Sequence, residues 1–234
     1  MNFRALLPVQ AVDNRLAQLE HRKSQLPEHG VAAAAKRTLE VARNDIQKME
    51  KRQAEIARDI NRYELHGKDL DAKKAKFEAQ LKSVIAMREI EALQHEIAMV
   101  AAQHSAQDDA EIVLLDESET LAAKLAALRE AMPRLEGETT TTGAQLATAV
   151  NSLDAEIAAA QAERTRLVAL VDAESMALYS QLRARMTSAA VAEIVKGSCG
   201  GCHTAMSPKE QADLKKVADT PDASCPYCGC LLVA

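Results

Sequence analysis

Five cysteines stand at 199, 202, 225, 228 and 230, within the last 36 residues of a 234-residue chain whose first 198 residues have none. Cys199-Gly-Gly-Cys202 is followed, after 22 intervening residues, by Cys225-Pro-Tyr-Cys228-Gly. Two CxxC pairs at this separation are the ligand pattern of a zinc ribbon. Tetrahedral Zn²⁺ takes four thiolates at about 2.3 Å. A CxxC turn aims two sulfurs at one point while backbone amides donate to them. Gly200, Gly201 and Gly229 suit the dihedrals of such turns, and Pro226 stiffens the second. Four protein ligands leave no position for an activated water. The expected ion, one Zn²⁺ on Cys199, Cys202, Cys225 and Cys228, is therefore structural rather than hydrolytic. It would hold together a segment too small to have a core of its own. Disulfides or redox thiols are the competing reading. A redox CxxC normally sits in a βαβ context, which this sequence does not display. Two further donors lie close by. Cys230 precedes an expected short strand at Leu231–Val233, where strand alternation makes it difficult to reach a site already served by Cys228. His203 reads as an exposed ribbon histidine.

No other constellation points to catalysis. Glu91 and His95 are spaced i, i+4 and read as a surface pair. The chain carries no P-loop, GxGxxG or GxSxG pattern, so a non-enzymatic protein is expected. The ribbon has a weak electrostatic footprint for nucleic acid. Lys196, Lys209, Lys215 and Lys216 are matched by Glu210, Asp213, Asp219 and Asp222, and Tyr227 is the one aromatic for stacking. A local patch at Lys209, Lys215 and Lys216 keeps nucleic-acid binding open as the second reading.

The elements that must carry this site are helical. The chain has no Trp, 2 Phe and 3 Tyr, and strong helix formers dominate it. From about Ala32 a seven-residue repeat places Ala42, Met49, Ile56, Tyr63, Leu70, Phe77 and Val84 on one column. Leu39, Ile46, Gln53, Ile60, Gly67, Lys74 and Leu81 form the weaker column beside it. A second repeat uses Leu93, Val100, Gln107, Leu114, Leu121, Leu128 and Leu135, flanked by Ile90, Ile97, His104, Glu111, Ser118, Leu125 and Met132. Residues 30–83 carry a net charge of +4 and residues 88–143 a net of −8, which favours pairing of these two arms with each other. With a fold-back near 83–87, the breaks at 27–30 and at 133–143 lie at the same height, as one shared kink. The expected fold is an all-α, elongated, antiparallel coiled-coil hairpin, kinked, with a small C-terminal β zinc ribbon. The hairpin spans 1–195 and the ribbon 196–234, the helix after 171 running to about Lys196.

These features together resemble the bacterial coiled-coil proteins with a C-terminal four-cysteine zinc ribbon, long classed as a domain of unknown function. Three stretches carry the likeness: Arg88–Ile97, similar to an R-E-Y-E-A-L pattern with Ile90 in place of Tyr; Gly197–Cys202; and Cys225–Gly229. The family's ending C-x-x-C-G-R-I-L-Y is altered here, with Cys230 in the arginine position and no final Tyr. The resemblance implies an adaptor or chaperone-like role. Its implied protein partners are RNA polymerase with the sigma-54 factor, or flagellar and type III secretion components, and RNA is a further implied partner. Arg88, Glu89 and Glu91 at the hairpin tip are the candidate partner-binding residues beyond the ribbon. No stretch of eighteen apolar residues and no signal peptide are read, so a cytoplasmic protein without membrane contact is expected.

Overall fold

A computed structural model of the chain describes residues 1–186 and 189–233. After a 3-10 turn at Phe3–Ala5 come α1 (Leu6–Ser24), α2 (Pro27–Leu81), α3 (Met87–Val168) and α4 (Ala173–Arg185). Strands β1 (Val191–Val195) and β2 (Ser198–Cys199), helix α5 (Pro208–Lys216) and strand β3 (Leu231–Val233) complete the chain. This is a long helical hairpin with a small C-terminal three-stranded sheet. The chain divides into two bodies, Val31–Gly143 and Met1–Gly30 with Ala144–Ala234.

The first body is the hairpin of α2 and α3. Its buried positions are Leu39, Ala42, Ile56 and Leu70 on α2, and Val100, Gln107, Leu125 and Leu135 on α3. All lie on the columns of the seven-residue repeats, so burial follows the periodicity directly. The basic arm meets the acidic one through ion pairs. Arg43 reaches Glu136 at 2.8 Å, Arg129 reaches Glu50 at 2.6 Å, and Arg52 grips both oxygens of Glu117 at 2.7 and 2.8 Å. These side chains are largely exposed, so they set partner and register more than stability. Midway, the apolar seam gives way to a polar layer. Gln107 donates to the Tyr63 carbonyl and faces His66 Nδ1 at 2.5 Å. Gly67, a gap in the weaker column, faces Gln107 and His104. The reversal at 82–86 needs neither Gly nor Pro. Ser83 donates its amide and hydroxyl to the Gln80 carbonyl, and the Ala86 carbonyl accepts the first α3 amides.

The interruption expected at 133–143 does not end α3, which is one helix through Pro133, Gly137, the threonine run and Gly143. Thr139, Thr140 and Thr142 donate to the carbonyls four residues back, which fits their hydroxyls into a helix rather than a turn. Leu128, Met132 and Leu135 pack on Leu39 and Ala42 across the proline, and tertiary contact overrides the local signal. The break expected at 27–30 in the other arm lies just before it, at 25–26, and 27–30 are helical. α1 ends at Ser24, and Pro27 opens α2, where its missing amide costs nothing.

The second body is built around α1. Val12 and Leu19 pack on Leu153 and Ala160 of α3. Its other end forms a core in which Phe3, Leu6 and Val9 meet Tyr179 of α4, Val191 of β1 and Leu231 and Val233 of β3. β1 lies between β2, antiparallel, and β3, parallel with Val191 beside Leu231. The buried Gln10 acts as an extra strand residue. Its Oε1 accepts from the amides of Ala190 and Val191 at 2.6 and 2.9 Å, and its Nε2 donates to the Val191 carbonyl at 2.8 Å. Asp13 ties the layer down, accepting from Arg164 at 2.5 Å and from the Tyr179 hydroxyl at 2.8 Å. The expected helix to Lys196 is therefore corrected. α4 ends at Arg185, and the Val-Ala-Glu-Ile-Val segment is the central strand of the sheet. The alanines around it read as helical, but its β-branched residues bury against α1 and β3. The ribbon also shares a core with α1 and α4, contrary to the expectation of a segment without one.

Candidate metal centre

Both CxxC turns are shaped by their neighbours. Cys199 ends β2, and its amide donates to the Thr204 carbonyl at 3.0 Å while its carbonyl accepts from His203 at 2.8 Å. Gly200 passes so close to β1 that a Cβ there would lie 2.8 Å from the Glu193 carbonyl oxygen, so only glycine fits. His203 takes a left-handed conformation with φ of 59° and is exposed; its contribution is to the turn. In the second turn Gly229 has φ of 76°, its amide donates to the Cys225 carbonyl at 2.9 Å, and the Cys225 amide donates to the Cys230 carbonyl at 2.8 Å.

These turns bring Sγ of Cys199, Cys202, Cys225 and Cys228 within 4.8 Å of one another. The Cys199–Cys228 and Cys202–Cys225 separations are 3.9 and 3.8 Å. A disulfide requires about 2.05 Å. Four sulfurs at about 2.3 Å from one tetrahedral ion stand about 3.8 Å apart, so the donor set fits a four-thiolate metal ion. Cys199 and Cys225 are buried, while Cys202 and Cys228 are half-buried. The Thr204 hydroxyl, 3.4 Å from Cys202 Sγ, and the Thr204 amide draw that thiol down to about 6. Burial pushes the Cys225 thiol up to about 12. An amide donated by Gly201 reaches Cys199 Sγ at 3.3 Å. Thr204 was not singled out from the sequence, because its role depends on the turn that returns it to Cys202.

Cys230 corrects an expectation. Its fully buried Sγ lies 3.5 Å from Cys199 and 3.4 Å from Cys228. It precedes β3 rather than belonging to it, and the left-handed Gly229 swings it inward, so strand alternation does not govern it. Burial raises its thiol far above the ordinary range.

The remaining candidates fall elsewhere. Lys209, Lys215 and Lys216 lie exposed on α5, which starts with a capping box between Ser207 and Glu210. Lys216 pairs with Asp213 at 2.7 Å, and Glu210 accepts from the Tyr227 hydroxyl at 3.1 Å. Arg88, Glu89 and Glu91 are exposed at the hairpin reversal, as are His95 and Glu96. Sequence reasoning missed the apolar part of this tip. Ile85 is 94% exposed and Met87 72% exposed, next in sequence to an open groove whose lining includes Val84, Ala92, Leu93, Glu89 and Glu96. No described helix is long and apolar enough to cross a membrane.

The chain is similar to known proteins over nearly all its length. It is 22% identical to the uncharacterized protein Rv2229c of Mycobacterium tuberculosis, covering 98% of this chain and 94% of that one. A solved structure of CT398 from Chlamydia trachomatis matches at a TM-score of 0.82 and 20% identity, covering 99% and 96% of the two chains. A structure from Mycobacterium smegmatis matches at 0.74 and 20% identity, covering 99% and 97%. The sequence pattern of the CT398-like coiled coil hairpin domain matches residues 9–187, and the chain belongs to that family.

Proposed function

We propose that this chain is a non-enzymatic adaptor or chaperone-like interaction protein, with one structural zinc ion on Cys199, Cys202, Cys225 and Cys228. The observation that carries the interaction reading is the hairpin reversal. Ile85 and Met87 stand out in solvent at a position where the coiled coil offers them no neighbour. Two of the most exposed large apolar side chains thus sit next in sequence to a groove, which is the pattern of a binding surface rather than of isolated apolar residues. Glu89 and Glu96 in the groove lining select for a protein segment that presents an apolar side chain flanked by Lys or Arg. By resemblance, the source of that segment is the transcription apparatus, as RNA polymerase or its sigma factor, or a secretion machine.

Zinc is favoured over other ions because a closed set of four thiolates in tetrahedral spacing suits it. With zinc bound, the four cysteines serve as thiolates, and the ion cross-links β2 to the turn before β3. Thr204 and the turn amides hold the sulfurs in place and share their negative charge.

The test uses a photo-crosslinker at Ile85 and host lysate treated with nuclease. The reading expects a nuclease-resistant protein crosslinked at the tip, and loss of that product when Arg88, Glu89 and Glu91 are all replaced by Ala with helicity unchanged. Capture that persists unchanged in that variant would overturn the role of the three charges. Association that needs nucleic acid and weakens steeply with salt would favour the second reading, in which Lys209, Lys215 and Lys216 contact phosphates.

A further inference from the structure

We infer that Cys230 is a resolving thiol for Cys228, which makes the four-cysteine site a peroxide-sensitive release point for its metal; this inference rests on the zinc reading above. Cys230 is not one of the four mutually close sulfurs, yet its Sγ touches two of them. It is fully buried and cannot meet an oxidant itself. Cys228 is half-buried, on a turn whose neighbours Pro226, Tyr227 and Gly229 are exposed. The accessible sulfur and the spare one are 3.4 Å apart, so an approach of about 1.4 Å brings them to disulfide bonding distance.

The chemistry closes with hydrogen peroxide as the oxidant. The Cys228 thiolate attacks one peroxide oxygen; an S–O bond forms, the O–O bond breaks and hydroxide leaves, giving a sulfenic acid. The Cys230 sulfur then attacks Cys228 Sγ. The S–S bond forms, the S–O bond breaks, and the Cys230 proton departs with the hydroxyl as water. Two sulfurs have each given one electron, and one peroxide has become water and hydroxide. The site has lost one of its four thiolate donors, so its hold on the ion falls. A dithiol reductant restores the Cys228 thiolate and with it the donor set. Without Cys230, the sulfenic acid loses its nearest thiol, 3.4 Å away against 3.9 Å for the metal-ligand candidate Cys199, and more of it oxidises on to the irreversible sulfinic acid.

The experiment takes the full chain, measures bound zinc, treats it with hydrogen peroxide, and follows zinc release with a colorimetric chelator. Tandem mass spectrometry of the tryptic peptide 217–234 then locates the oxidised sulfurs, since this peptide holds Cys225, Cys228 and Cys230 and no internal Lys or Arg. The expected product has lost about 2 Da through a Cys228–Cys230 disulfide, with Cys225 still alkylatable, and dithiothreitol reverses both the mass change and the zinc loss. In Cys230→Ser, the form of Cys228 heavier by about 32 Da should increase over wild type, and the zinc recovered on reduction should fall by the same fraction. The wild-type map needs no variant and stands even if Cys230→Ser misfolds. Disulfides confined to Cys199–Cys202 or Cys225–Cys228, or a Cys230 that stays reduced in a chain that held zinc, would overturn the inference alone. A chain that holds no zinc before oxidation would overturn the metal reading instead.

Discussion

The two bodies of this chain are stabilised in different ways. The hairpin of 31–143 repeats one device: an apolar seam with exposed ion pairs beside it, renewed every seven residues. No single position in it is decisive, since each layer contacts mainly the layers next to it. The body of 1–30 and 144–234 concentrates its contacts instead. Phe3, Tyr179, Val191, Leu231 and Gln10 each join segments far apart in sequence, and the cysteine cluster lies beside that core. Periodic structure tolerates local faults such as Pro133 and Gly67. A core of few, long-range contacts does not.

The largest difference between the two bodies should follow loss of one of the four clustered thiols. Cys225→Ser should abolish tight metal binding, and hydrogen exchange should rise through β1, β3, α1 and α4, because they share the core behind the cluster. Residues 31–143 should keep their protection. Exchange confined to 196–233 would show that the shared core stands without the ion, and exchange spreading along the hairpin would show one cooperative unit.

A core truncation in the hairpin comes next. Ile56→Ala, at a fully buried seam position, should cost about 2–5 kcal/mol in urea unfolding of the hairpin and leave metal content unchanged. Gln10→Ala tests the other body from its polar side. It leaves the Ala190 and Val191 groups without partners, at about 1–3 kcal/mol, and should also loosen metal retention, measured by competition with a chelator.

The smallest expected effect is electrostatic and belongs to the hairpin. His104 is held above its ordinary value of 6.5, first by Asp108 at 2.9 Å and then by Asp71 across the seam at 3.4 Å. A raised folded value means the contribution is full below the unfolded value and is lost as pH rises through the folded one. Glu117, lowered by Arg52, behaves oppositely and loses its contribution as pH falls through its folded value. His104→Gln should flatten the alkaline side of the hairpin's stability profile and leave the acid side alone. An unchanged alkaline limb would remove His104 from the seam's electrostatics.

The sequence alone was sufficient for whatever depends on spacing. Seven-residue columns placed every fully buried hairpin residue of 31–143, because a helix presents one face at that interval whatever surrounds it. Paired CxxC turns marked the four clustered cysteines, because local turn geometry fixes where two sulfurs of each pair point. Arm charges of opposite sign announced the cross-helix pairs, since Coulomb attraction needs only rough proximity. Three things were decided by tertiary structure. β1 reads as helix from its alanines and becomes a strand because α1 and β3 bury it. α3 continues past Pro133 because the seam on either side holds it to α2. Cys230 reaches the cluster because Gly229 turns it inward and Gly201, whose Cβ would lie 3.3 Å from its sulfur, leaves it room. The first two rest on contacts between residues remote in sequence; the third combines a local glycine turn with the space that Gly201, remote in sequence, leaves for the sulfur.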